Sequence, residues 1–269
     1  MKVFQINATF TRTTGVLLSV ILFAACSGAY LWIGHERHQE NPADKIVPTL
    51  KQLADGAYRA TFEKDRKGEY RLWVDTIASG RRFCIGLVCL AFAVLLGLHM
   101  GVLPVFEKFF LSFMLFADKV NPLSLLPILF IILGLGETAK ISLIVVGVFP
   151  TIVLDTYLRA KAVPQEQLIK ALTLDASDLE VAYKVVLPQI FPKVLDTIRL
   201  NFKAMIIFLI AGEAIAAKAG LGYRIFVVRR YIAMDIIIPY VLWISLLAFA
   251  MDFMVRLWIA KRYPWLNQE

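Results

Sequence analysis

The stretch Glu166-Gln-Leu-Ile-Lys-Ala-Leu-Thr-Leu-Asp-Ala-Ser177 forms the centre of a polar region, Arg159–Lys203, that lies between two apolar segments. Each flanking segment is long enough to cross a bilayer, which takes about 20 mostly apolar residues. Membrane helices are usually joined by short turns, whereas this connection holds a long amphipathic stretch outside the membrane. Amphipathic helices presented in this way are suited to binding a partner. The region, called the island below, therefore predicts an extramembrane docking element.

The composition is that of a membrane protein. Of the 269 residues, 59% are hydrophobic, and the mean hydropathy is +0.67, so the bilayer is the expected solvent. The net charge of +8 indicates Lys and Arg facing anionic membrane lipid rather than nucleic acid. The three cysteines and three histidines have no metal-ligand spacing, and we expect no metal site.

Six segments have the length and composition of membrane helices. They are residues 14–34, 83–103, 116–135, 140–158, 199–218 and 237–260. The first is longer than the apolar part of a cleaved signal, so we interpret it as an uncleaved helix. The third contains Pro122 and Pro127, which predict a kink or a half-helix.

The connections between these segments differ in character. Residues 35–82 are polar, and helical periodicity at residues 48–54 and 70–77 predicts one or two surface helices rather than a separate domain. Residues 219–236 begin with Gly220-Leu-Gly-Tyr223. Glycines here allow a re-entrant turn, which membranes tolerate only where it lines a cavity or packs in protein. This turn is either part of an external gate, with Gly220, Gly222 and Tyr223 as candidates, or a plain connector.

The island itself is predicted to be two short helices with a sharp joint at Asp175-Ala176. Residues 165–174 have the periodicity of a helix with one apolar face. Ser177-Asp-Leu-Glu180 fits a capping box, which starts the second helix, and Pro188 is expected to end it. The residues predicted to share the two apolar faces are Leu168, Ala171 and Leu172 in the first helix and Leu179, Ala182, Tyr183 and Val186 in the second. This pair of helices could form a knob that projects from the membrane or a hairpin that lies on the lipid surface. The small residues and the acids of the island suit the first arrangement, in which it contacts another protein.

The island resembles the EAA loop of ABC-importer permeases, whose pattern is Glu-Ala-Ala-x-x-x-Gly followed by an apolar helix and Leu-Pro. That frame here reads Ile169-Lys-Ala-Leu-Thr-Leu-Asp175, then Val186-Leu-Pro188. Ile169 replaces the glutamate of the pattern, so the polar contact of that glutamate is not expected. Asp175 replaces the glycine. Aspartate adopts positive φ more readily than most residues, so the joint is expected to persist.

Other stretches are similar to one branch of that family, the nitrate, sulfonate, taurine and bicarbonate permeases. They are Leu125-Leu-Pro-Ile-Leu129, Gly134-Leu-Gly-Glu-Thr-Ala-Lys-Ile141, Phe149-Pro150, Gly212-Glu213 and Gly220-Leu-Gly-Tyr223, with Asp252 and Arg256 in the last span. No single stretch is specific to this branch, but their order and spacing together are strong evidence of resemblance. The resemblance covers roughly residues 45–262.

The resemblance implies an all-α polytopic domain of the type I ABC-importer permease kind, with partners on both sides of the membrane. These are cytoplasmic ATPases that bind ATP and Mg²⁺, a second permease subunit, identical or not, and a periplasmic or lipid-anchored solute-binding protein. Residues 159–198 would form the coupling loop. The docking residues that it implies are Ala171, Leu172, Leu174, Asp175, Ala176, Ser177, Tyr183, Leu187 and Pro188.

The resemblance also orients the chain in a bacterial inner membrane. It implies that both termini and the island are cytoplasmic and that residues 35–82 and 219–236 are external. The positive-inside rule does not decide this, because Lys and Arg divide equally between the two sides.

Charged residues within the spans have two interpretations each. Glu213 lies inside the fifth span, where burying an acid is expensive, so it either faces the pathway or ties helices together. We favour the tie, since relatives with different solutes share this acid. Asp252 and Arg256, at i and i+4, predict an ion pair on the helix surface, with a role in the pathway as the alternative. Glu137 and Lys140, three residues apart in a turn, have the same two interpretations.

The expected function is that of a permease subunit of an ATP-driven importer for a small polar, anionic solute. The chain is not expected to be an enzyme or to bind ATP itself, because residues 134–141 only resemble a phosphate loop. Ala139 replaces its last glycine and Ile141 its magnesium-binding hydroxyl. The alternatives are an ATP-independent secondary transporter or channel, whose usual internal repeat and midplane charges are missing, and a membrane anchor that recruits a partner without transport.

Overall fold

The computed structural model describes residues 12–41, 44–65 and 68–265, which are mostly helical. The helices are α1 (Arg12–Glu40), α2 (Leu50–Phe62), α3 (Arg71–Val102), α4 (Pro104–Lys119), α5 (Pro122–Leu133), α6 (Glu137–Lys161), α7 (Gln165–Thr173), α8 (Asp178–Glu180), α9 (Leu187–Leu200), α10 (Phe202–Ala216), α11 (Leu221–Arg229) and α12 (Met234–Arg262). A π-helical segment, Val181–Val186, joins α8 to α9. Over the described ranges the only β-pairing is an isolated bridge between Lys64 and Tyr70.

Four of the described helices, α1, α3, α6 and α12, are long and apolar enough to cross a membrane. The pair α4 and α5 meets the same criterion together but bends by 103°, which makes five spans if the pair counts as one. The all-α membrane architecture is as predicted, and four or five of the roughly six predicted spans meet this length criterion among the described residues. The predicted fifth span falls on α10, whose 15 residues rise only about 22 Å, less than the ~30 Å hydrocarbon core.

Two predicted spans also differ from the helices that contain them. The span predicted from residue 83 lies within α3, which begins twelve residues earlier at Arg71, so residues 70–77 are not a separate surface helix, and α2 is the surface helix of that segment. The span predicted over 116–135 is interrupted between α4 and α5, where the 103° bend confirms the predicted kink. Asn121 caps α5 by accepting a hydrogen bond from the Leu123 N–H, and Pro122 has no N–H with which to continue α4.

Helix α6 lies at the centre of the bundle, in contact with α3, α4, α5, α9 and α10. Its crossing with α3 is close because glycines of α3 face it. A Cβ placed on Gly97 would lie 2.5 Å from the carbonyl oxygen of Val153 and 2.7 Å from Cβ of Thr156. Small residues at such crossings let helix backbones approach in membranes, where packing rather than the hydrophobic effect holds helices together.

Replacing Gly97 with alanine is therefore expected to lower the stability of the bundle by about 1–3 kcal/mol, as overpacked sites do. The backbone of α6 must move to admit the added methyl group. Gly80→Ala on the same helix is the control, since its Cβ would have no atom within 4 Å. The measurement is the midpoint of thermal denaturation of the detergent-solubilised protein. Equal midpoints for the two variants would contradict the close crossing.

Candidate functional site

The joint of the island has the geometry that the sequence predicts. Asp175 has φ 61°, the left-handed conformation that glycine usually provides at such a position. Ser177 Oγ accepts from the Glu180 N–H at 3.3 Å, and a Glu180 carboxylate oxygen accepts from the Ser177 N–H at 3.1 Å, which completes the predicted capping box. Hydrogen bonds from Lys184 and then from the Ser177 N–H lower the pKa of Glu180 to about 2. The capping carboxylate is therefore ionised at physiological pH.

Pro188 does not end the second helix, contrary to the prediction. The chain remains helical from Asp178 through α8, the π-helical segment and α9 to Leu200. Proline in an α-helix lacks an N–H and its ring clashes with the carbonyl four residues earlier. Here the wider π-helical turn comes directly before it, with the Leu187 N–H bonded to the Ala182 carbonyl five residues back. This turn gives the proline room, so the island is connected rigidly to α9.

The island has an inner and an outer face, and the predicted docking residues divide between them. The inner residues Ala171, Ala176 and Leu187 pack against the core of the bundle and are partly buried. Ala182 and Val186, predicted to share a face with Tyr183, are fully buried. The predicted docking residues that are exposed are Leu172, Leu174, Asp175, Ser177, Tyr183 and Pro188.

Five large apolar or aromatic side chains point out of the island. This outer patch consists of Ile169, Leu172, Leu174, Leu179 and Tyr183. Leu174 is the most open of them, with 83% of its surface exposed. Ile169 was not among the predicted docking residues, because at that position only the glutamate of the family pattern was considered. Leu179 was assigned to an apolar face but was not singled out.

Polar contacts connect the island to the membrane helices. The Tyr183 hydroxyl lies 3.2 Å from Nε2 of His99 near the end of α3. Arg159 of α6 donates to Thr197 of α9 at 2.8 Å.

The ion pair predicted between Asp252 and Arg256 is wrong. Asp252 pairs instead with Arg199 of α9 at 2.6 Å, and the Arg256 guanidinium lies 6.0 Å from the ring centre of Phe253. The Arg199 side chain is largely buried whereas Arg256 is exposed. A buried cation needs an acidic partner more than one in water does. Asp252 is therefore a tie between α12 and α9, and Arg256 is not part of it.

A second group of residues forms a largely buried polar cluster around Glu213. The cluster consists of Asp75, Ser79 and Arg82 of α3, Glu137 and Lys140 of α6, Glu213 of α10 and Arg224 of α11. Glu213 has no exposed surface. Its Oε1 accepts from Ser79 Oγ at 2.7 Å and from Arg82 Nη1 at 2.6 Å, and its Oε2 accepts from the Gly222 N–H at 2.8 Å.

The turn after α10 closes over this cluster. Gly220 has φ 140°, and a Cβ there would lie 2.5 Å from Cδ of Glu213, so only glycine fits. The Gly220 N–H donates to Asp75 at 2.9 Å, and the Leu221 N–H donates to Ser79 at 2.8 Å. Tyr223 is half-buried beside them. The turn is thus packed within protein, one of the two situations in which a membrane tolerates irregular backbone.

The charges of the cluster balance. Arg82 forms a two-pronged contact with Glu137, at 2.5 and 2.9 Å, in addition to its bond to Glu213. Lys140 contacts Glu137 at 2.8 Å, which confirms that predicted pair. Arg224 donates to Asp75 at 2.8 Å. Three cations thus face three acids, and the network ties α3 to α6, α10 and α11.

Sequence reasoning found Glu213, Gly220, Gly222 and Tyr223 but missed Asp75, Ser79 and Arg82. The segment that holds the missed residues, 35–82, was assigned to the outside of the membrane. A usable signal was present in their spacing, because Asp75, Ser79 and Arg82 recur at i, i+4 and i+7 and hence share one helix face.

Helices long enough to cross a membrane and an exposed apolar patch on a polar island define an all-α membrane protein with a surface suited to a partner. Residues 90–262 match the family described as the binding-protein-dependent transport system inner membrane component, and the chain belongs to this family of ABC-importer permeases.

Three relatives indicate the branch. The taurine transport system permease protein TauC of Escherichia coli is 29% identical over 72% of this chain and 71% of its own length. A probable ABC transporter permease protein of Brucella melitensis is 28% identical over 90% of this chain and 94% of its own. The putative aliphatic sulfonates transport permease protein SsuC of E. coli is 26% identical over 52% and 55%.

The predicted family and class are thereby confirmed. The chain is a multi-pass membrane protein and a permease subunit of an ABC importer, in the branch that includes nitrate, sulfonate and taurine permeases. It is a transporter subunit by family, and that family implies an ATPase and a solute-binding protein as partners.

Proposed function

We propose that this permease imports a small anionic solute of the sulfonate class, driven by a cytoplasmic ATPase that docks on the outer patch. The observation that carries the docking proposal is the exposure of large apolar side chains on a polar, extramembrane island. Ile169, Leu174 and Leu179 are each more than half exposed. An apolar patch rimmed by polar residues is typical of a protein interface.

The surroundings of the patch favour protein over lipid as its partner. Acidic residues Glu166, Asp175 and Asp178 are exposed beside it. An amphipathic hairpin that binds a lipid surface is usually basic on its polar side, since the surface is anionic. The mixed charges around the patch suit a protein groove whose rim is also polar.

The contacts of the island support a mechanical role. Movement of the patch is transmitted through the continuous helical path from Asp178 to Leu200, which leads to α10. The Arg199–Asp252 pair extends the path to α12, and the Tyr183–His99 contact extends it to α3. Closure of the ATPases on ATP and Mg²⁺ would thus move several spans together, between inward-open and outward-open states.

The solute class is proposed from the relatives. Two of them are named for the transport of taurine and aliphatic sulfonates, which share a sulfonate group. The sulfonate group is anionic at physiological pH, whereas taurine also carries an ammonium group, so the feature that the proposal assigns to the solute is the sulfonate itself.

The assembly that we propose contains two permease subunits, two ATPases and an external solute-binding protein in a bacterial inner membrane. Both termini and the island lie in the cytoplasm in this arrangement. A second permease would cover α5 and the turn after it, where Ile131, Ile132 and Leu135 are largely exposed in the single chain.

The test is uptake of radiolabelled taurine by vesicles that contain the permease, its ATPase and its binding protein. We expect uptake that requires ATP hydrolysis and the binding protein and that an excess of ethanesulfonate inhibits. Uptake by the permease alone would instead establish a secondary transporter or channel. ATPase binding with no flux of any tested anion would establish an anchor. Energised uptake of an uncharged solute, with taurine excluded, would reject the solute class alone.

A further inference from the structure

Glu137 is an exposed acid held by two buried cations. Its side chain is 57% exposed, whereas the side chains of Arg82 and Lys140 are only 6% and 3% exposed. In an ordinary surface ion pair both partners can be solvated. Here only the acid can reach water, so the two sides of the contact are not equivalent.

The contact geometry is that of an oxyanion site. Arg82 donates Nε to one Glu137 oxygen at 2.5 Å and Nη2 to the other at 2.9 Å. Lys140 Nζ donates to the second oxygen at 2.8 Å. A guanidinium fork with an added ammonium group binds carboxylates, phosphates and sulfonates through several oxygens at once.

The two cations need an anion at this position. Glu137 is the only acid that contacts Lys140 across the described ranges, and Arg82 shares its charge between Glu137 and Glu213. A cation left unpaired inside protein within a membrane is strongly unfavourable. Loss of Glu137 would therefore leave a vacancy that favours any small anion able to enter it.

Glu137 is also placed where it can leave. It is the first residue of α6 and follows the turn Gly134-Leu-Gly136, in which Gly134 has φ 73°. More than half of its side chain lies at the surface of the single chain, so no packed side chain blocks its movement out of the site. The cost of its departure is chiefly the contact with the cations.

We propose that Arg82 and Lys140 form an anion-binding site of the transport pathway and that Glu137 is its tethered occupant in this conformation. The inference rests on the proposed import of an anionic solute. During transport the sulfonate group of the solute takes the place of the Glu137 carboxylate. One negative charge replaces another, so the cluster stays neutral, and the return of Glu137 displaces the solute.

The test is chemical rescue of Glu137→Ala in the purified, full-length permease. This variant is expected to melt at a lower temperature than the unmodified protein. Added ethanesulfonate should restore more than half of the lost melting temperature in a saturable manner, and sodium chloride at equal ionic strength should not. A second change, Lys140→Ala, in the same protein should abolish the rescue because it removes one of the two donors.

Glu107→Ala is the matched control. Glu107 also accepts from a lysine, Lys161 at 2.7 Å, and from Tyr157 at 2.6 Å. The Lys161 side chain is 44% exposed, so water replaces its lost partner and no saturable rescue is expected. Equal rescue of both variants, or equal rescue by chloride, would overturn the site in favour of a general salt effect.

If Glu137→Ala does not fold, Glu137→Gln provides a second measurement. The amide keeps the shape of the carboxylate but removes the competing charge, and calorimetry should show ethanesulfonate binding at least tenfold tighter than to the unmodified permease. Binding no tighter than to the unmodified protein overturns the inference. Neither experiment needs the ATPase, so a permease that imports taurine but shows no rescue rejects this site and leaves the proposed function standing.

Discussion

Replacing Leu174 with glutamate is expected to release the ATPase while the permease remains folded. Leu174 is 83% exposed, so the substitution removes no contact of the permease core. In the complex the glutamate would be buried in an apolar groove without a partner. Loss of a central interface residue costs about 2–4 kcal/mol, and an unpaired charge adds to this, so we expect at least a hundredfold weaker binding. The measurement is copurification of the ATPase with the permease.

Ala171→Glu distinguishes docking from folding. Ala171 lies one turn away but packs inward against the bundle, so a glutamate there should lower the melting temperature of the isolated permease. Leu174→Glu should leave that temperature unchanged. A normal yield of ATPase with the Leu174 variant would mean that the partner binds elsewhere, and an early-melting Leu174 variant would mean that the patch is internal.

The comparison of these two residues shows how far the sequence determines the island. Local signals were reliable: the capping box at Ser177 forms, and Asp175 adopts the left-handed conformation of the joint. The periodicity also found which residues are apolar. It did not tell which apolar face meets the bundle and which meets a partner, because both faces of the island carry leucine or isoleucine. That distinction depends on the placement of α3 and α6, which no local pattern contains.

The start of α3 was missed for a related reason. A hydropathy criterion treats Asp75 and Arg82 as signs of water, so the predicted second span begins only after them, twelve residues inside the helix. In the fold Arg82 contacts Glu213 and Glu137, and Asp75 contacts Arg224. Each charge therefore has a partner of opposite sign. Polar residues inside a membrane protein are tolerated when partners on other helices satisfy them, and such partners are distant in the sequence. Only Glu213, already surrounded by apolar residues in the chain, was conspicuous from the sequence alone.

Glu213→Gln is expected to destabilise the permease by about 3–5 kcal/mol, the usual cost of breaking a fully buried ion pair from one side. The carboxylate accepts from Ser79 and Arg82 on one oxygen and from the Gly222 N–H on the other. A glutamine amide must turn its NH₂ group toward one of these donors, so at least one hydrogen bond is lost. Arg82 also loses half of its acidic partners. The turn at Gly220–Gly222 should also loosen in this variant, because it is held by the Glu213 carboxylate.

Asp252→Asn is the matched control for this prediction. It is also a change from acid to amide at a contact with arginine, but the Asp252 side chain is 35% exposed, and water replaces much of the lost interaction. Its cost should be below about 1 kcal/mol, in the range of surface ion pairs, because Arg199 keeps a second acidic partner, Asp196 at 2.8 Å. Thermal denaturation and taurine uptake of both variants provide the comparison.

If Glu213→Gln melts like the unmodified permease and only its preference among anions changes, Glu213 contacts the solute and is not a structural tie. A large loss of melting temperature with the order of preferred anions preserved would establish the tie, because a residue that merely holds α3 against α10 and α11 supports every solute equally.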